Sequence, residues 1–197
     1  MSHPLNKFPT GGYMHNLDEL KEMVEKCYKC RLGDTRNNLV FGQGNENADI
    51  MFIGEGPGYH EDMKGLAFVG PAGQLLTKAL EGINLTRDQV YIGNIVKCRS
   101  PNNRNPKDDE MEACIQYLRW QVKIIKPKII VCLGSISSKN IIDKNLRITK
   151  EREKWVYKKG IWIMPTYHPS AVLRDEKKKR PFWMDFKNIR EKYEEIS

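Results

Sequence analysis

The chain predicts an α/β fold of three layers, α/β/α, around a central, mostly parallel four-stranded sheet. Three observations carry this. Short apolar runs at residues 50–53, 90–96, 129–133 and 161–164 have the length of buried strands. Helical patterns separate them, and strand–helix alternation predicts parallel pairing with helices on both faces. The 197 residues are 40% hydrophobic and 29% charged, which suits one soluble domain spanning residues 1–197 with a substantial core.

The first helix is expected over residues 16–26, with Asn16 as N-cap, Asp18 and Glu19 in the first turn, and Leu17, Leu20 and Val24 apolar. Residues 31–47 are polar and glycine-bearing, a loop with one short strand at Leu39-Val40-Phe41. The run 50–53 empties into Gly54-Glu55-Gly56-Pro57-Gly58, and helical spacing resumes over 72–80 to stop at Gly82. A helix over 108–125 stops before Pro127, and another over 135–142 follows Gly134. Residues 147–159 are expected to form a hairpin into the last strand, and a final helix covers 183–193.

The polar motifs fall at strand ends. Glu55 ends the first, Asn94 leads the second into Lys97-Cys98-Arg99, and Leu133-Gly134-Ser135 ends the third. Pro165-Thr166-Tyr167-His168-Pro169-Ser170 ends the fourth. In a parallel sheet these ends share one edge, the edge at which open α/β sheets bind ligands. Three glycines within five residues let the backbone approach a ligand closely, and Phe68 stands nearby, so the edge suits something flat and polar.

Net charge is +8 and the pI near 9.2, which favours an anionic partner. Lys177-Lys178-Lys179-Arg180 forms one basic run, although such runs are commonly solvated surface. No apolar run is long enough to span a membrane, and Met1-Ser2-His3-Pro4 lacks the pattern of a secretory leader, so a cytoplasmic protein is expected. In that compartment five cysteines argue for metal or cluster ligation over disulfides. Cys27 and Cys30 form a C-x2-C pair, and Cys98 and Cys114 stand 16 positions apart. A four-cysteine site of this kind fits tetrahedral zinc or an iron–sulfur cluster. The wide second pair tilts the choice toward iron–sulfur. Cys114 taken alone reads as a buried apolar residue, and Cys132, inside a strand, as a core cysteine.

From Cys27 to about Phe186 the chain resembles the iron–sulfur branch, family 4, of the uracil-DNA glycosylase superfamily. The resemblance rests on Gly54-Glu55-Gly56-Pro57-Gly58 with Glu61-Asp62, and on Phe68-Val69-Gly70 with Ala72-Gly73-Gln74. Gly93-Asn94-Ile95-Val96-Lys97-Cys98-Arg99 and His168-Pro169-Ser170-Ala171-Val172-Leu173-Arg174-Asp175 complete it. It implies a repair enzyme that flips uracil out of DNA and hydrolyses its glycosidic bond, and a 4Fe–4S cluster on Cys27, Cys30, Cys98 and Cys114. Half of that cluster site would come from the N-terminal helix. The expected uracil contacts are Glu55, Gly56, Phe68, Asn94 and His168. Phe68 would stack on the base, Asn94 match O4 and N3–H, and His168 donate to O2 as charge builds. Glu55 would orient the attacking water, with Glu61 and Asp62 as rivals. Val172, Leu173, Arg174, Lys97 and Arg99 are the expected DNA contacts, Val172-Leu173 as the wedge.

The chain departs from the family pattern at Tyr59-His60, where acidic residues are common, and at Pro71. The substrate is expected to be uracil-containing DNA, single- or double-stranded, acted on by a monomer, with room for a replication or repair protein as partner. Two readings compete: a non-catalytic damaged-DNA-binding protein of the same fold, and a zinc-stabilised nucleotide-binding domain. Intact Glu55, Asn94 and His168 count against the first.

Overall fold

A computed structural model describes residues 16–197; the leader expectation for Met1-Ser2-His3-Pro4 lies outside them. The first half of the chain forms α1 (Leu17–Glu25), α2 (Leu32–Thr35), β1 (Gln43–Gly44), β2 (Ile50–Gly54), α3 (Tyr59–Lys64), α4 (Pro71–Glu81) and β3 (Tyr91–Asn94). The second half forms α5 (Asp108–Ile125), β4 (Ile129–Leu133), α6 (Ser135–Ile141), α7 (Ile148–Glu151), β5 (Val156–Lys158), β6 (Ile161–Thr166), α8 (Pro169–Arg174) and α9 (Lys179–Ile196).

Among the described residues the strands make one sheet of six, ordered β1-β3-β2-β4-β6-β5. The four expected strands are its parallel centre, β3-β2-β4-β6, flanked by antiparallel β1 and β5. Six strands therefore replace the expected four. The added pair left no apolar pattern: β1 has two residues, and all three of β5 are exposed. The strand expected at Leu39-Val40-Phe41 is irregular backbone instead. Val40 and Phe41 owe their apolar character to burial, and the Val40 amide donates to the Lys97 carbonyl (2.9 Å).

Every residue of β2, β3 and β4 is buried, as expected for strands covered on both faces. Alternation sorts their side chains. Phe52, Ile92 and Val131 meet Leu80, Phe182 and Phe186 beneath α4 and α9. Met51, Ile53, Tyr91 and Cys132 face Leu20, Leu118 and Ile125 of α1 and α5. Cys132 is the fully buried core residue expected.

The helix starts follow local chemistry. Asn16 caps α1 by accepting the Glu19 amide (2.9 Å). α5 ends at Lys126 in the left-handed region (φ 54°), just ahead of Pro127. α9 is longer than expected, because its charged flanks carry no apolar signal yet continue the backbone ladder. The hairpin expectation over 147–159 holds in part: α7 precedes β5, which turns through Lys159-Gly160 into β6.

Register brings the strand ends together. Gly54 pairs with Asn94, Ile53 with Cys132 and Leu133 with Thr166. The residues that follow leave the sheet along one edge.

Candidate active site

A cleft of about 440 Å³ opens at that edge, and Glu55, Gly56, Phe68, Asn94 and His168 all line it. Glu55 follows β2, Asn94 ends β3, and His168 caps α8 just beyond β6. Phe68 comes from the turn before α4, in the left-handed region (φ 52°), an uncommon conformation for an aromatic residue. Two close approaches hold it there. A Cβ on Gly73 would lie 1.8 Å from the Phe68 carbonyl oxygen. One on Gly54 would lie 2.6 Å from the Phe68 ring and 2.5 Å from Asn94 Oδ1. Glycine at these two positions lets ring and amide reach the cleft.

Asn94 is buried, and among the described residues its Oδ1 has no hydrogen-bond partner. Leaving a buried acceptor unpaired costs about 1–3 kcal/mol, so Oδ1 is available to a donor from outside the chain. The Phe68 and His168 rings lie 5.7 Å apart, centroid to centroid. The Ser170 amide donates to His168 Nδ1 (3.1 Å), and Ser170 Oγ lies 2.7 Å from the same nitrogen. An Nδ1 that accepts leaves the proton of a neutral ring on Nε2. Burial, aided by the charge of Arg174, lowers the His168 pKa to about 4, so the ring is neutral at pH 7.

Three carboxylates stand near the cleft, and two are engaged. Glu61 Oε1 accepts the Val69 and Gly70 amides (2.8 and 2.7 Å) and Oε2 the Gly58 amide (3.2 Å), clamping two cleft loops together. Buried Asp62 accepts the Asn37 amide (2.9 Å), the Asn37 side chain (2.6 Å) and the Asn38 amide (3.3 Å). Glu55 faces the cleft, and burial raises its pKa above the usual carboxylate value.

The cysteines meet on the other side of β3. Cys27, Cys30, Cys98 and Cys114 line one small cavity together with Arg36, Lys97 and Tyr117. Arg36 donates to Cys98 Sγ and the Tyr117 hydroxyl to Cys27 Sγ, both at 3.2 Å. All four thiols are free. Burial pushes Cys114 up to about 12, so a thiolate there calls for a cation. Among the described residues no three His, Cys, Asp or Glu side chains close on a single metal-ion position; the four thiols ring a cavity.

Comparison with known proteins agrees with this geometry. The family model described as uracil DNA glycosylase superfamily matches residues 41–187. The type-4 uracil-DNA glycosylase of Sulfurisphaera tokodaii is 50% identical over 187 residues, covering 90% of this chain and 85% of that protein. Those of Saccharolobus solfataricus and Archaeoglobus fulgidus are 44% and 42% identical, covering 90% of this chain and 87% and 94% of theirs. The chain belongs to the type-4 family of the uracil-DNA glycosylase superfamily.

Among the DNA contacts expected of a type-4 chain, the structure exposes three and buries two. Arg174 is exposed at the cleft rim, Leu173 is 48% exposed beside it, and Arg99 is partly exposed with its guanidinium 5.1 Å from the Tyr59 ring centroid. Val172 is corrected: it is fully buried, because one helical residue step turns it from Leu173's outward face into the core. Lys97 is corrected too. It is fully buried, its ammonium donating to the Asn94 carbonyl (2.9 Å) and to Gln121 Oε1 (2.6 Å), so no phosphate reaches it. The basic run is partly neutralised, with Lys178 paired to Asp175 and Lys179 to Glu176. His60 is exposed.

Sequence reasoning missed the Glu61 clamp and Ser100, a cleft-lining residue whose buried Oγ also lacks a partner. A carboxylate six positions after Glu55 hinted at the first. Nothing in the sequence separates Ser100 from any loop serine.

Proposed function

We propose that this chain is a uracil-DNA glycosylase that draws deoxyuridine into the cleft and hydrolyses its glycosidic bond, leaving an abasic site and free uracil. The carrying observation is that Glu55, Phe68, Asn94 and His168 line one cleft, with Asn94 Oδ1 buried and unpaired. Uracil N3–H supplies the missing donor, and the Asn94 amide NH2 reaches O4. Cytosine reverses both groups and leaves them unpaired. Phe68 stacks on the base.

As the C1′–N1 bond breaks, its electron pair moves onto the base and His168 Nε2–H donates to O2. A neutral donor suits this role, since a preorganised N–H stabilises developing charge where it forms. Glu55 orients water toward C1′ and supports the positive charge on the sugar. The water oxygen bonds to C1′ and its proton passes to Glu55, whose raised carboxyl pKa suits brief protonation, and from there to the departing uracil anion. Glu61 spends its oxygens on backbone amides, and Asp62 on backbone amides and the Asn37 side chain, which supports Glu55 for this task.

Cys27, Cys30, Cys98 and Cys114 would hold a 4Fe–4S cluster. Four thiols around one cavity, with N–H and O–H donors on two sulfurs, support a cluster over a single zinc ion. When bound it fastens chain segments and takes no part in bond cleavage. The reading includes one glycosylase domain acting as a monomer, which one chain lining the whole cleft supports, and a reducing, cytoplasmic setting, which the free cysteines support. Leu173, Arg174 and Arg99 serve as its DNA contacts, and room is left for a replication or repair protein partner. Assaying uracil release from single- and double-stranded oligonucleotides tests the function. Tight binding of uracil-containing DNA with no free uracil would favour the non-catalytic alternative.

A further inference from the structure

We propose that Lys97 is a positioning residue, holding the end of β3 from behind so that Asn94 presents its amide to the base. The inference rests on the reading of Asn94 as the uracil contact. Lys97 is fully buried, and its ammonium donates to the Asn94 carbonyl (2.9 Å) and to Gln121 Oε1 (2.6 Å). Gln121 is buried as well; its Nε2 donates to the Phe41 carbonyl (2.9 Å) and the Tyr91 hydroxyl (3.0 Å). The Lys97 carbonyl accepts the Val40 amide (2.9 Å). The last residue of β3 is thus tied through one lysine to α5, to the start of β3 and to the loop carrying Val40 and Phe41.

The arrangement is costly, which is why it points to a task. A buried ammonium destabilises a fold by several kcal/mol unless opposite charge faces it. Its hydrogen-bond partners are neutral. Cys98 and Cys114 line the same cavity as Lys97, and their sulfurs would supply facing charge on ligating the cluster proposed above. An apolar residue would fill the same volume without needing that charge. What it could not do is hold the Asn94 carbonyl. On the cleft side, Asn94 Oδ1 has no hydrogen-bond partner among the described residues, so the amide's aim depends on the backbone that carries it.

The test is Lys97→Met, which keeps the length of the stem and removes donor and charge. Affinity for free uracil, measured by calorimetry, should fall by about tenfold to a hundredfold, the worth of a hydrogen bond from a charged group. Selectivity for uracil over cytosine in single-turnover excision should fall too, while affinity for uracil-free DNA stays unchanged. A lower melting temperature with uracil affinity and selectivity intact would overturn the proposal. If Lys97→Met does not fold, Gln121→Leu removes the lysine's side-chain acceptor and should weaken uracil binding in the same direction; unchanged binding there overturns it as well. Asn94→Ala separates the two levels. Should it leave uracil affinity unchanged, the pocket reading fails. Should it abolish binding while Lys97→Met does not, only the role of Lys97 fails.

Discussion

His168 gives one ring nitrogen to the backbone of its own helix and keeps the other for the cleft. Losing one preorganised donor in such a site costs about 10²–10³ in rate. His168→Ala should lower single-turnover excision by that order, with DNA affinity retained; equal losses in both would assign the residue to docking. Its titration also enters stability. The folded pKa of about 4 lies below the ordinary 6.5, so the unfolded chain binds the extra proton between these values. The histidine's contribution is full above about pH 6.5 and is lost as pH falls through about 4. Denaturant unfolding at pH 4.5 and 7 should show a smaller pH difference in His168→Ala than in the parent, as the pKa of about 4 requires. Asn94→Asp replaces a donor–acceptor amide with an acceptor-only carboxylate opposite O4, and should abolish uracil excision. Unchanged activity would remove Asn94 from base reading. Glu55, Asn94 and His168 were legible because strand ends place them at one edge whatever the packing; Phe68, in the turn before α4, was legible as a base contact only through the family resemblance. Lys97 and Val172 were not, because the direction of a side chain past a strand end or on a short helix is set by its neighbours.

At the scale of the element, α8 divides its work within six residues. His168 caps it, Pro169 starts it, Val172 anchors it in the core, and Leu173 and Arg174 face outward. An anchored helix with one exposed apolar residue at a cleft rim is suited to wedge a base step, which costs a few kcal/mol to unstack. Leu173→Ala should therefore impair excision from U·A duplexes more than from single strands, with melting temperature unchanged. Equal harm to both substrates would place the wedge elsewhere. Arg174→Ala should weaken binding and reduce the salt slope by about one counterion. Elements with an apolar pattern were legible within a few residues, as α5 shows. β1 and β5 were not, because edge strands of two and three residues bury too little to leave a pattern.

Across the whole molecule the cysteine cavity joins the end of α1, the exit of β3 and the first turns of α5. Chain segments distant in sequence meet there, so ligation of the proposed cluster would close long loops. Cys27→Ala or Cys114→Ala should lose iron and lower the melting temperature by on the order of 10 °C, equivalent to ~3–4 kcal/mol for a chain of this size. Retained iron and stability in either variant would dismiss that ligand. What the sequence determined by itself is the α/β class, the edge at which the cleft opens and the residue types gathered there. Period, glycine placement and strand-end position are local properties, and parallel pairing converts them into one site. What only the tertiary structure decided is which way each remaining group points. It pins Glu61 and Asp62 to backbone amides and leaves Glu55 facing the cleft. It also turns Lys97 away from solvent, between the cysteines and Asn94. Those outcomes depend on contacts between segments far apart in the chain, and no local pattern encodes a partner that folding has yet to bring near.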